Sequence, residues 1–145
     1  MARPGFALLL RGARSGMTAG MGRIRSDIQL DGAALWALFD TGARNSYISR
    51  DRAAPLMPRP LRAPRTVRLG GSVRSLTEVC MVEGTLDGRR LEFEAYVVDD
   101  LGADEAGKRI DLIFGALAMQ KWGVRPVPDE ETLDLSHFAE EFTEY

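Results

Sequence analysis

The seven residues from Ala33 to Phe39 (AALWALF) are almost continuously apolar, and they run straight into Asp40-Thr41-Gly42. A strand with one wet face alternates apolar and polar residues. A short unbroken apolar run bounded by turn residues is what a strand covered on both faces requires. A chain with such a strand must lay other elements over both of its sides. It must also bring the Asp40 carboxylate to the rim of the core. A chain of 145 residues contains this tripeptide by chance about three times in a hundred. The tripeptide alone therefore says little, and the buried strand leading into it says more.

The remaining pattern is that of short strands joined by tight turns. Ile24, Asp27-Ile28 and Leu30 read as a strand, and Asp31-Gly32 is a hairpin signal that connects it to the apolar run. Ser46 to Ser49 reads as a short strand, and Asp51 to Leu56 as a helical turn. Pro55, Pro58, Pro60 and Pro64 forbid a regular helix or central strand after it. Strands are expected from Thr66 to Leu69 and from about Val73 into Leu86, around a turn at Gly70-Gly71-Ser72. Asp87-Gly88 is another turn, and Leu91 to Val98 alternates as a half-buried strand should. Asp99 to Lys108 is a polar loop. Ile110 to Phe114 is apolar again, and Gly115 stands before one helix, Ala116 to Trp122, with Gly123 as its C-cap. Val124 to Val127 and Thr132 to Leu135 suit a closing hairpin, and Phe138 to Phe142 a short helix or a frayed tail. The sum is an all-β chain, mainly strands with one short helix in its C-terminal half, in a closed or sandwich-like domain.

The length suits one domain. Its expected extent is 22–136, with a flexible leader at 1–21 and an acidic tail at 137–145; Met17 and Met21 are alternative starts. The leader side is basic: Arg3, Arg11, Arg14, Arg23 and Arg25 occur with no acid before Asp27. Asp129 to Tyr145 holds seven acids and no Lys or Arg. Both read as solvated ends. A net charge of −2 gives no global reason to expect nucleic acid or an anionic membrane as a partner. No apolar run approaches the ~20 residues of a membrane helix, and Phe6 to Leu10 is short for an export signal. The cytoplasm is the expected location.

Cys80 is the only cysteine, so no internal disulfide is available. It lies in Val79-Cys80-Met81-Val82 and reads as a small buried hydrophobe. The only histidine, His137, is in the acidic tail. Cys/His catalysis and a Cys/His metal site are therefore poor readings, and no metal or organic cofactor is expected.

A carboxylate at the rim of a buried strand suits peptide hydrolysis by a water held between two carboxylates. One is ionised and acts as base; the other is protonated and polarises the carbonyl, because two close carboxylates do not easily both ionise. Gly42 would let backbone approach Asp40 and donate its amide to it. Thr41 could lock one loop against an equivalent loop. That chemistry needs two such loops and the chain has one, since Asp31-Gly32 and Asp87-Gly88 lack the middle hydroxyl. The second carboxylate would come from another copy across a twofold axis.

The segment ALFDTGARNSYIS resembles the active-site segment of retropepsin-like aspartic proteases, both retrotransposon-type and small bacterial members. A second segment agrees: Asp111-Leu112-Ile113-Phe114-Gly115 followed by Ala116 to Trp122 resembles the apolar pair, glycine and helix that pack beside the catalytic loop in that family. The resemblance covers roughly Ile24 to Leu135. It implies a closed, barrel-like retropepsin fold with one lobe per chain, working as a homodimer on a polypeptide substrate. Asp40 would be catalytic, with Thr41, Gly42 and Ala43 as the active-site loop. Ile113, Phe114 and Gly115 would pack beside it, and Gly70, Gly71 and Ser72 would be the flap that closes over substrate. Three features depart from the pattern. Retroviral members carry an arginine where Ala116 stands, the flap lacks a long glycine-rich tip, and the acidic tail has no clear counterpart.

The function expected on this basis is an aspartic endopeptidase. The alternative is a catalytically silent module of the same fold, used for dimerisation or peptide binding. A third reading is a protease blocked by its own leader or tail. Arg44 is a candidate substrate contact, although an exposed arginine is the plainer reading. Trp36 and Trp122 read as core or interface packing.

Overall fold

The computed structural model describes residues 23–142. The expected leader at 1–21 and the last three residues of the tail lie outside the described residues.

Strands β1 (Arg23–Leu30) and β2 (Ala33–Asp40) form an antiparallel hairpin in unbroken register from Arg23↔Asp40 to Leu30↔Ala33. A short strand β3 (Tyr47–Ser49) leads into a one-turn helix α1 (Arg50–Ala53) and a 3₁₀ turn at Ala54–Leu56. Then come β4 (Arg59–Leu69), β5 (Ser72–Leu86) and β6 (Arg89–Val98), joined by turns at Gly70-Gly71 and Asp87-Gly88. All four turn residues have positive φ, as two-residue hairpins of the mirror-image turn type demand. After the loop come β7 (Leu112–Phe114), helix α2 (Ala116–Trp122), and the small hairpin of β8 (Arg125–Val127) and β9 (Thr132–Asp134).

The main sheet runs β1-β2-β7-β3-β6-β5-β4, and β5 pairs back to β1 at Gln29↔Thr85. Six strands therefore form a barrel-like ring, joined at that point by a single residue pair, with β4 outside it as an edge strand. Gly84 permits the closure: a Cβ there would lie 2.4 Å from the Gln29 carbonyl oxygen. Among the described residues no helix is long and apolar enough to cross a membrane.

Strand β4 begins earlier than the prolines suggested. It starts at Arg59 and contains Pro60 and Pro64, with a register shift between Pro60 and Arg65. An edge strand tolerates proline because its outer N–H groups need no ladder partner. Phe138 to Phe142 is neither helix nor a detached tail. Phe138 stacks on Trp122 at 5.7 Å and Phe142 lies 5.2 Å from the same ring.

Strand β2 serves two apolar clusters. Leu35, Ala37 and Phe39 point into the main core with Ile48, Leu112, Phe114 and Trp122. The alternate residues Trp36 and Leu38 belong to a second cluster with Tyr47, Leu76, Ile113 and Val98. The same alternation splits Leu112 and Phe114 from Ile113. It is the physical meaning of the unbroken apolar run.

The loop before β7 is organised by Asp104, whose side chain is only 5% exposed. Its Oδ1 accepts the amides of Ala106 and Lys108, both at 2.9 Å, and its Oδ2 accepts the Trp36 indole N–H at 3.0 Å. Burial opposes its charge. The Lys108 amide, the Trp36 indole, the Ala106 amide and Arg25 outweigh that, and the carboxyl is held below its ordinary value. A depressed carboxyl stabilises the fold above its unfolded value, about 4, and that contribution is lost as pH falls through the folded value. Asp104→Asn is expected to melt lower than wild type at pH 7 and to lose less stability between pH 4 and 2. Thermal melts across that range check it.

Candidate active site

By strand alternation Asp40 falls on the same side of β2 as Trp36 and Leu38. The carboxylate thus ends the row that feeds the second apolar cluster. Asp40 is half-buried, and its Oδ1 accepts the Gly42 amide at 2.8 Å. A Cβ on Gly42 would come within 3.2 Å of that oxygen, so the glycine keeps the contact uncrowded. The Ala43 amide donates to the Asp40 carbonyl at 3.1 Å and closes the turn. Thr41 and Gly42 are exposed at its tip.

Helix α2 holds this loop by its own unmet needs. The first amides of a helix have no partner within it, and Gly115 offers no capping side chain. The loop supplies the acceptors: Ala116 N–H donates to the Ala43 carbonyl at 2.7 Å and Leu117 N–H to the Arg44 carbonyl at 3.1 Å. Gly115 N–H donates to the buried Ser46 Oγ at 3.0 Å, and the Ser46 carbonyl accepts the Tyr96 amide at 3.0 Å. Strand β7 lies between β2, to which it is parallel, and β3, to which it is antiparallel. The loop therefore arches across the end of β7. Asp111 braces the other end of this strand: its Oδ2 accepts the Trp36 amide at 2.8 Å and its Oδ1 the Arg52 Nε at 3.2 Å.

The structure places Asp40, Thr41, Gly42 and Ala43 on one loop, with Gly115 directly beneath it. A Cβ on Gly115 would lie 2.2 Å from the Asn45 carbonyl oxygen and 2.9 Å from that of Ala43. Phe114 points away, into the main core, where its ring lies 4.9 Å from Phe39. Ile113 points into the second cluster, against which Ala43 packs. Gly70 and Gly71 form the exposed tip of the β4–β5 hairpin and Ser72 pairs with Leu69. Val67 and Leu69 just before the tip, and Leu76 just after it, pack into that cluster.

Leu38, Tyr47, Leu76 and Ile113 belong to the apolar cluster on the side of β2 where Asp40 falls, and of these four the sequence reading singles out only Ile113. The signal was present, because Leu38 stands two residues before Asp40 in a strand.

Cys80 is buried as expected, and burial, reinforced by Glu78, pushes its thiol up. His137 is exposed. Among the described residues no group of three or more His, Cys, Asp or Glu side chains is placed to hold a metal ion.

A family model described as aspartyl protease matches residues 26–117. Ten chains among solved structures match. One is the retroviral protease-like domain of Ddi1 from Leishmania major, with 19% identity and a TM-score of 0.56, covering 80% of this chain and 91% of that one. At that identity the likeness concerns the fold, which is retropepsin-like. No curated protein matches.

Proposed function

The chain belongs to the aspartyl protease family, and from that premise we propose that it is an aspartic endopeptidase whose active site is completed by a second copy of itself. The observation that carries the reading is Asp40, presented at the end of a doubly covered strand, its carboxylate held by the Gly42 amide on a turn closed by Ala43 and braced by α2. The described loop supplies one such carboxylate, and the chain contains no second Asp-Thr-Gly or Asp-Ser-Gly. A twofold axis beside Thr41 would set the two Asp40 side chains together.

In this mechanism the pair shares one proton, as in aspartic proteases generally. The ionised Asp40 takes a proton from the bound water as its oxygen attacks the scissile carbonyl carbon. The protonated Asp40 gives its proton to the carbonyl oxygen. Collapse of the tetrahedral intermediate breaks the C–N bond, the amine leaves with a proton, and the shared proton is restored. Ala43 and Gly42 would align an extended peptide, with its side chains reaching Leu38, Ile113 and Leu76. Residues 70–72 would cover it. The catalytic unit is proposed to span 22–136.

The test is cleavage of a diverse peptide library from pH 4 to 7 by wild type and Asp40→Asn, read by mass spectrometry. Asparagine keeps the shape but cannot share the proton. Wild type is expected to cleave best on the acid side, and Asp40→Asn to fall by at least about a thousandfold. Equal cleavage by both would remove Asp40 from the mechanism. Silence from both, with dimers present, would favour the non-cleaving peptide-binding module.

A further inference from the structure

We propose that the peptide recognised by this protein is acidic, held by uncompensated arginines on the catalytic loop and on the β4–β5 hairpin. The inference rests on the peptidase reading for where the peptide lies, between loop and hairpin. It does not depend on whether the bond is cut.

From Arg59 to Leu76 the hairpin carries five arginines and no acid, in a chain whose net charge is −2. Arg59 pairs with Glu94 at 3.3 Å, and Arg74 donates to the Asp100 carbonyl at 3.2 Å. Arg62, Arg65 and Arg68 are exposed, and their guanidinium groups have no ion-pair or hydrogen-bond partner among the described residues. The neighbouring acids are already engaged. Arg50 takes Glu78 at 2.6 Å and Asp99 at 2.8 Å, and Arg109 takes Asp100 at 3.5 Å.

Arg44 repeats the pattern on the catalytic loop. Its carbonyl is fixed by Leu117 N–H at 3.1 Å, while its exposed guanidinium has no partner among the described residues. It opens on a groove shared with Asn45, Tyr96, Met81 and Leu117. Met81 and Leu117 are about half exposed there, so the groove offers apolar contact next to positive charge. Glu92 and Glu94 also line it, as does Lys121; Glu94 is matched by Arg59, which leaves Glu92 against Arg44 and Lys121.

Arg62, Arg65 and Arg68 are like charges close together on one strand, Arg44 adds another on the catalytic loop, and like charges repel rather than hold the fold together. They create a field that favours an extended chain bearing Asp or Glu on either side of an apolar segment. The β4 edge strengthens the case. It is paired only with β5 among the described residues, so hairpin and peptide can approach without displacing another strand. The competing account is that the arginines only keep an exposed edge from pairing with other chains. That account requires no preference among peptides.

The experiment uses full-length Asp40→Asn, which separates recognition from cleavage. Labelled short peptides with one apolar centre and flanks of either Glu or Gln are titrated by fluorescence anisotropy near pH 6. The Glu peptide is expected to bind about tenfold more tightly, as several exposed ion pairs together allow. The advantage should shrink between about 50 and 200 mM salt. Arg62→Glu/Arg65→Glu/Arg68→Glu should abolish or reverse it. Arg44→Gln, which disturbs no contact of the fold, should reduce it. Equal affinity for the two peptides, no binding of either, or a preference unchanged in both variants would overturn the proposal. Loss of cleavage in the wild type would count only against the peptidase reading.

Discussion

Gly115→Ala is expected to lower the melting temperature by about 10 °C and to cut peptide cleavage by about a hundredfold at temperatures where it remains folded. Gly115 sits at φ −92° and ψ 179°, ordinary backbone for any residue. The cost of a methyl is therefore steric. It would lie 2.2 Å from the Asn45 carbonyl oxygen and 2.6 Å from the carbon behind it, both backbone atoms of the loop that carries Asp40. A flexible side chain could swing aside, whereas this loop is held by the Ala116, Leu117 and Gly115 amides. Either those bonds stretch or the loop lifts. Overpacking typically costs about 1–3 kcal/mol, and a backbone collision sits at the upper end. About 4 °C per kcal/mol for a domain of this size gives the shift. Displacing a reacting group by about 1 Å can cost a hundredfold in rate. Gly102→Ala is the control: its φ is +78°, but nothing lies within 4 Å of the new methyl. It should cost only the torsional penalty, about 1 kcal/mol, and leave cleavage unchanged. If both variants melted alike, contact between loop and helix would not be what holds Asp40 in place.

The same contact shows why part of this site could be read from sequence and part could not. Asp40, Gly42 and Gly115 are spaced by local needs: a strand ending at a turn, and a glycine where two backbones meet. Turns at Asp31-Gly32, Gly70-Gly71 and Asp87-Gly88 were equally legible, because positive φ leaves few choices of residue. The all-β class followed from strand periodicity, and α2 with its glycine cap from local composition.

What escaped reading depends on partners distant in the chain. The prolines of β4 exclude a central strand, but whether a strand is central depends on its neighbours. Only the sheet order shows β4 at an edge. Phe138 and Phe142 look like a tail until Trp122, from another element, is seen beneath them. Leu38, Tyr47, Leu76 and Ile113 come together from four strands, and no local window contains them. Likewise Arg44 reads from sequence as a candidate substrate contact or a plain exposed arginine, and nothing local marks Arg62. Their lack of counter-charge appears only when the acids around them are found paired with others.

Adding Asp40→Asn protein to the wild type is expected to inhibit it, and this separates a shared site from a site within one chain. In the proposed dimer each subunit contributes one carboxylate, so a mixed dimer has one Asp40 and one amide and cannot share a proton. With exchange complete and protein well above its dimer dissociation constant, chains assort at random. Wild-type homodimers then form in proportion to the square of the wild-type fraction. Equal amounts of mutant should leave about half the original activity, and a ninefold excess about a tenth. Wild-type activity alone should also fall with the square of concentration once dilution passes the dissociation constant. A chain that cleaves by itself would keep full activity in every mixture and lose it only linearly on dilution. The Asp40→Asn chain keeps the loop, Gly115 and α2 intact, so it should dimerise like wild type, and sedimentation of the same mixtures verifies this. Inhibition that follows random assortment with substrate in excess of total protein means that the mixed dimer is silent, which is what a site built from both Asp40 side chains requires.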